Sequence, residues 1–320
     1  MKKPKKVLIT GGCGYIGSVL LEKLGRQLEG YVIRLFDNLS VGNINALQQL
    51  PLDGHYQFIE GDLLDPNQLN YALNGVDIVI HLAAKANTPL SFDNTEMTRQ
   101  VNQWGTTHLV DACLEHEVEH LIFASSAAVY GPELNQSEDD TPDPLGAYAS
   151  SKLAAEQYLR SKEGKLDYTI FRIGTVYGPS PMMRAQAFVN RLCFLAGTKK
   201  KLTVFGDGQQ VRPVIHIDDV CQLMLETLKS PENYKNEIFN ICHTNATVLE
   251  VVEAIQTHRA DANVIYTDQD IRTRYNYSIT TDKVGQLEWQ PEVDLVEGVK
   301  TVLDRFQGFE TVNATTKGLL

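Results

Sequence analysis

The chain has 320 residues, 43% hydrophobic and 22% charged, proportions of an ordinary globular protein that exclude disordered, collagen-like and coiled-coil chains. Its length fits one large α/β unit with an elaboration, or two domains. With 29 Lys and Arg against 40 Asp and Glu, the net charge of −11 repels a polyanion and argues against a nucleic-acid partner.

From the N-terminus, short apolar, β-branched runs predict strands at KVLIT (6–10), YVIRLF (31–36), YQFIEG (56–61), VDIVIHL (76–82), HLIFASS (120–126) and DYTIFRI (167–173). Helical patterns fall between them near residues 15–28, 66–74, 96–116 and 147–163. Strand and helix in alternation imply parallel pairing, because each return to the sheet needs a crossover, and runs apolar throughout suit strands covered on both faces. The expected fold is α/β, a Rossmann-type doubly wound parallel sheet. After residue 174 the rhythm changes: GTVYGPSPMMR is rich in Gly, Pro and Ser, and a helical AFVNRLCFLAG and a strand-like KLTVFGDG follow. VRPVIHIDDV then leads into a helix at 219–229, a strand EIFNICH (237–243) and helices at 248–258 and 295–307. This predicts a cofactor-binding domain over residues 1–175, to which the chain returns at 210–242, and a smaller C-terminal α/β substrate-binding lobe from residues 176–209 and 243–320.

The five cysteines, Cys13, Cys113, Cys193, Cys221 and Cys242, are widely spaced without a C-x-x-C pair, which speaks against a disulfide framework or zinc site and for a reducing compartment. The basic start MKKPKKVLIT breaks at TGGCGYIG before a signal-peptide core forms, and no run of ~18 apolar residues predicts a membrane span. A cytoplasmic protein is expected, with no membrane partner.

TGGCGYIGS places Gly11, Gly14 and Gly17 between the first strand and a helix carrying Val19, Leu20, Leu21 and Leu24. A dinucleotide pyrophosphate needs a tight turn, backbone free of Cβ atoms and helix N-terminal amides, and this spacing supplies all three. Asp37, at the end of the second strand and twenty residues after Gly17, has the position of a carboxylate that accepts both adenosine ribose hydroxyls. Asn38, Leu39 and Ser40 follow, with no Arg or Lys for a 2′-phosphate, so NAD is favoured over NADP. Asp62 in EGDLLD either reaches the adenine edge or caps the helix that starts near Pro66.

Tyr148 and Lys152 in YASSK stand four residues apart on one helix face. An ammonium beside a phenol favours the phenolate, which makes removal of a proton from a sugar or alcohol hydroxyl feasible; the same spacing also suits an ordinary exposed helix pair. Ser126 ends the strand LIFASS, where strand C-termini in such sheets meet the ligand crevice. His81 reads as a hydrogen-bonded core residue rather than a base, and His216 as structural, ahead of Asp218 and Asp219 that cap the next helix. No His, Cys or carboxylate cluster has metal-ligand spacing.

Taken in order, TGGCGYIG, FDNLSVGN, GDLLD, HLAA, the N-x-x-G-T of Asn102 to Thr106, SSAAVYG, YASSK, RIGTVYGPSP and VFGDGQQVRPVIHIDDV resemble the extended short-chain dehydrogenases/reductases of the nucleotide-sugar epimerase/dehydratase family. The resemblance spans residues 5–307 and is strongest to UDP-glucose 4-epimerases. It implies a catalytic triad of Ser126, Tyr148 and Lys152, with Lys152 also on the nicotinamide ribose. It implies an NAD site formed by Gly11, Gly14, Tyr15, Ile16, Gly17, Asp37, Asn38, Asp62, Leu63, Leu82, Ala83, Ala84 and Asn102 together with Tyr148 and Lys152, and it puts Arg212 on the substrate diphosphate. Bidentate guanidinium is the appropriate group for that task. Lys85, Ser126, Tyr148, Thr175, Arg184, Asn190 and Arg274 are the further substrate candidates; for Lys85, Arg184, Arg272 and Arg274 the alternative is solvated surface charge. The family commonly forms a homodimer through helices such as those at 96–116 and 147–163, whose Leu153 and Tyr158 equally suit packing on their own sheet.

Similar 4,6-dehydratases carry an Asp-Glu pair where this chain has Ala127 and Ala128, and related decarboxylases keep the Glu. An alanine methyl does no acid–base work, which disfavours both reactions. The resemblance therefore implies a 4-epimerase of a nucleotide-diphosphate sugar, through oxidation at C4, turning of the keto sugar and hydride return. A C4 dehydrogenase or 4-ketoreductase with net redox is the alternative, and a non-catalytic NAD-binding regulator the third reading. Thr175 replaces the Asn usual in those epimerases, Arg212-Pro213-Val214 replaces their R-D-[FY], and TVYGPSPMMR, with Val189 and Asn190 shortly after and RTRYNY (272–277), resembles a subgroup acting on varied nucleotide sugars, so neither UDP-glucose nor UDP-galactose is implied.

Overall fold

A computed structural model describes residues 4–27, 30–41, 43–48, 50–52, 54–86, 95–267 and 276–309. The first half runs β1 (Lys5–Thr10), α1 (Tyr15–Gln27), β2 (Tyr31–Asp37), β3 (Tyr56–Glu60), α2 (Pro66–Leu73), β4 (Ile78–His81), α3 (Thr95–Arg99), α4 (Gly105–Glu115), β5 (His120–Ser126), α5 (Gly146–Arg160) and β6 (Asp167–Ile173). The second half adds β7 (Thr175–Tyr177), α6 (Phe188–Gly197), β8 (Leu202–Phe205), β9 (Val211–His216), α7 (Ile217–Lys229), β10 (Glu237–Ile241), β11 (Thr244–Thr247), α8 (Val248–His258), β12 (Val264–Thr267) and α9 (Leu295–Leu303).

Seven strands form one sheet in the order β10-β6-β5-β4-β1-β2-β3, every pair parallel. Consecutive residues serve opposite faces. Val7, Ile9, Ile33, Leu35, Ile78 and Ile80 face a core closed by Leu20, Leu21 and Leu24 of α1 and Val220, Leu223 and Met224 of α7. Leu8, Phe36, Val79, Leu121 and Phe123 face a second core, closed by Leu69 and Leu73 of α2, Leu109 of α4 and Leu159 of α5. Double coverage is why these runs read as apolar without alternation, and each aliphatic buried this way contributes roughly 1.5–3 kcal/mol. The strand order reverses between β1 and β4, so the loops that follow them open a crevice at the C-terminal ends of the strands.

Within the return stretch 210–242, β10 joins this sheet beside β6 and α7 packs on α1, whereas β9 pairs with β7 and β11 in a separate three-stranded sheet. β10 occupies the edge beside β6, which leaves β9 no place there. A two-stranded sheet of β8 and β12 and the helices α6, α8 and α9 enclose a third core built on Tyr177, Val189, Val204, Val251, Ile255 and Val299. The helical stretch 96–116 is broken by a π-turn at Gln100–Trp104, which carries Asn102 into the interior. The α7 N-cap is His216, whose Nδ1 accepts from the Asp218 amide at 3.3 Å; Asp219 instead accepts from the Glu292 and Val293 amides at 3.0 and 3.2 Å. The capping expected of Asp218 and Asp219 is thus corrected. Among the described residues, no helix is long and apolar enough to cross a membrane.

Candidate active site

Gly11 leaves β1 at φ +71° and lies so close to the loop after β4 that a Cβ would stand 2.6 Å from the Ala83 nitrogen. Gly14 differs, since a Cβ there would meet only the Gly11 carbonyl, at 3.1 Å, with nothing else within 4 Å. The amides of the first turn of α1, at Tyr15, Ile16 and Gly17, have no intrahelical acceptor and carry the positive end of the helix dipole. A bare, concave backbone ending in free donors is the cradle that a pyrophosphate requires. Asp37 is oriented at the end of β2 by the Cys13 amide at 2.9 Å and the Leu39 amide at 2.8 Å. Asn38 bridges from β2 to β3 by donating to Asp62 at 2.9 Å. Asp65 caps α2, accepting from the Asn67 and Gln68 amides at 2.9 and 3.3 Å, so Asp62 is not the cap. These donors and carboxylates fit a dinucleotide. Burial and then the Asp37 charge push the Cys13 thiol up to about 12, which keeps it protonated inside the loop.

A chain of side chains steadies the loop after β4. His81 is fully buried, with Nδ1 2.6 Å from Thr10 Oγ1 and Nε2 2.9 Å from Thr106 Oγ1. Thr106 gives its own proton to the Asn102 carbonyl at 2.6 Å, so His81 Nε2 donates and Nδ1 accepts. Burial, and next the charge of Lys152, holds the ring far below its ordinary pKa and therefore neutral. Asn102 accepts the Lys85 amide at 2.7 Å and donates to the Lys85 carbonyl at 3.2 Å and to Ser151 at 3.1 Å. Leu82, Ala83 and Ala84 are thereby held over the crevice. Arg184 reaches the same loop from the C-terminal lobe, donating to the Ala86 carbonyl at 2.6 Å.

The end of β5 meets the buried face of α5. Ser126, whose Oγ accepts the Ala128 amide at 3.2 Å, neighbours the Tyr148 phenol. Burial raises the phenol's pKa, while the Arg184 charge and then the Ser126 side chain pull it back. Lys152 is 3% exposed, donates Nζ to the Ala124 carbonyl at 2.8 Å and lies 4.7 Å from the Phe123 ring centroid. Burial pulls it down to about 7, against the opposing charge of Glu156. An ammonium that exchanges its proton near neutrality, beside a phenol with a hydroxyl partner, is a proton-transfer assembly.

The other candidates divide. Thr175 neighbours the Tyr277 phenol, and the Arg212 guanidinium stacks 5.1 Å from the same ring while donating to the Val211 carbonyl at 2.9 Å. Tyr277, buried beside Cys242 and near Tyr148, was not singled out as a site residue from the sequence; the aromatic closing RTRYNY was its only signal. Asn190 is fully buried, accepting from the Gly178 amide at 3.0 Å and donating to the Tyr15 hydroxyl at 3.0 Å and the Arg184 carbonyl at 3.2 Å. Its amide is spent on joining the two lobes. Tyr15 does the same through a 2.8 Å bond to the Gly178 carbonyl, and the Leu63 side chain belongs to the second core. Leu153 and Tyr158 pack against the fold itself, Tyr158 donating to Asp111 at 2.6 Å. Arg272 and Arg274 lie outside the described residues.

Residues 7–242 match the NAD dependent epimerase/dehydratase family. The chain belongs to that family. It is 30% identical to a putative UDP-glucose 4-epimerase of Methanocaldococcus jannaschii, over 93% of this chain and 97% of that protein. It is also 30% identical to the dTDP-D-glucose 4,6-dehydratase of Bos taurus, over 95% of this chain and 89% of that protein. The crystal structure of UDP-glucuronic acid 4-epimerase from Bacillus cereus, in complex with UDP-glucuronic acid and NAD, has the same fold at TM-score 0.86 and 28% identity, covering 94% of this chain and 98% of that one. The protein is an NAD-dependent enzyme of Rossmann-type α/β fold.

Proposed function

We propose that this family member is a nucleotide-sugar 4-epimerase that uses Ser126, Tyr148 and Lys152. The observation carrying the reading is the Tyr148 phenol beside Ser126, next to Ala127 and Ala128. Two methyl groups follow the serine, and neither protonates nor deprotonates a sugar carbon, which sets this site apart from dehydration chemistry. Tyr148 takes the proton of the sugar 4-hydroxyl through Ser126, and the Lys152 ammonium stabilises the phenolate and binds the nicotinamide ribose. Bound NAD supplies the hydride acceptor for C4 and the donor for its return. The keto sugar turns between the two transfers, and Tyr148 gives its proton back to O4. Arg212 holds the diphosphate, while Arg184, Lys85 and Thr175 border the sugar. The substrate-binding lobe is the part built on the third core, and the working unit is a homodimer, for which light scattering of the purified protein is the check.

Incubation with UDP-, dTDP-, GDP- and CDP-sugars, followed by chromatography, identifies the substrate. Epimerisation leaves the NADH absorbance band flat during turnover, whereas a dehydrogenase or ketoreductase changes it in proportion to product. Tyr148→Phe removes the general base and lowers turnover by about 10²–10⁴-fold with bound NAD retained. Full activity in that variant would sink the assignment.

A further inference from the structure

Three residues of α5 spaced four apart, Tyr148, Lys152 and Glu156, meet three consecutive residues at the end of β5. Tyr148 neighbours Ser126, Lys152 donates to the Ala124 carbonyl, and Glu156 accepts the Ser125 hydroxyl. Glu156 is 1% exposed and holds an ion pair with Arg172 of β6, whose Nη2 and Nε stand 2.8 and 3.1 Å from its Oε2. Arg172 donates Nη1 to the Tyr130 hydroxyl at 2.8 Å, and Tyr130 donates to Asn240 of β10 at 2.8 Å. One carboxylate is therefore tied to α5, β5, β6, β10 and the turn that follows Ser126.

Burying a Glu–Arg pair costs desolvation that two apolar residues of similar volume avoid, so packing alone does not account for it. We propose that Glu156 is a positioning residue of the active site: it fastens Ser125, and with it the Ser126 hydroxyl, against α5, and supplies the negative charge against which Lys152 keeps its proton. The inference rests on the catalytic reading of Ser126, Tyr148 and Lys152. The titratable and charged groups around Lys152 are Tyr148 and Glu156 on its own helix, His81 on β4, which is neutral, Arg172 on β6 behind the carboxylate, and Arg184 facing Tyr148. Of these, Glu156 is the carboxylate that opposes the effect of burial on the lysine.

The test titrates the Lys152 Cε resonance of the NAD-loaded, 13C-lysine-labelled protein, assigned by its absence in Lys152→Met. In Glu156→Gln the missing anion and the unpaired Arg172 both drive Lys152 towards its neutral form, and its titration moves about one pH unit lower than in the wild type. Glu156→Gln combined with Arg172→Met removes the pair as a unit, avoids an unpaired buried guanidinium, and keeps a downward shift of smaller size. A purely structural role predicts lower melting temperatures with an unmoved Lys152 titration in whichever variant folds, and that result overturns the proposal. Full activity in Tyr148→Phe refutes the catalytic reading instead.

Discussion

Lys152 carries its charge where burial penalises it, with a pKa of about 7 in the fold against 10.5 in a solvated lysine. Between those two values the unfolded chain binds more protons than the folded one, so this residue makes stability rise with pH from about 7 to 10.5. Lys152→Met removes the penalty. The nucleotide-free variant should exceed the wild type by about 5 kcal/mol in slightly acidic buffer, with the gain shrinking as the pH approaches 10.5, as thermal melts across that range will record. On the proposed mechanism the same change removes the cation beside the Tyr148 phenolate, so the more stable protein is expected to be the inactive one. Tyr148 and Lys152 were legible in the sequence because their spacing of four is a local pattern. Glu156, one further turn along, was not, since in the sequence it is one more charged residue in a helical stretch, and only the arrival of Arg172 from β6 makes it a buried pair.

The π-turn at Gln100–Trp104 shows what an element adds. One residue more than an α-helix needs turns Asn102 inward, where its amide matches the amide and carbonyl of Lys85. Asn102→Ala leaves those groups and Ser151 without their partner, at a cost of about 1–3 kcal/mol, and loosens the loop over the crevice. A lowered melting temperature together with faster loss of bound NAD on dialysis is the expected result. The sequence pattern could not disclose this turn, because one inserted residue leaves the apolar spacing of 96–116 almost unchanged. The six early strands were legible from uniformly apolar runs that reflect cover on both faces. β7, β11 and β12 escaped notice, being three or four residues long and set in turn-rich or polar stretches. The cap of α7 was misread, and that of α2 left open, for a related reason: several side chains near a helix start suit the role, and Asp65 and His216 take it by geometry that spacing does not encode.

At the scale of the whole molecule, the lobes are sewn together by Tyr15 to Gly178, Ser18 to Ser180 and Asn190 to Tyr15, with Arg184 closing on the loop after β4. An acidic chain of net charge −11 thus carries Arg184 against the loop after β4 and Arg212 against the Tyr277 ring. The path of the chain matters as much. It leaves the main sheet at Ile173 and returns at Glu237, and the face carrying Phe171 and Ile173 is covered by α7. A fragment of residues 1–175 presents the unpaired edge of β6 and an uncovered apolar face, so it should aggregate or stay unfolded, as soluble yield and circular dichroism will show. During synthesis the ribosome releases the glycine loop, Ser126, Tyr148 and Lys152 long before Asn240, the last member of the polar network beneath them. The glycine loop and the Ser126, Tyr148 and Lys152 cluster are thus made before the polar network beneath them is complete, and a nascent chain that ends short of Asn240 holds them on an unfinished platform.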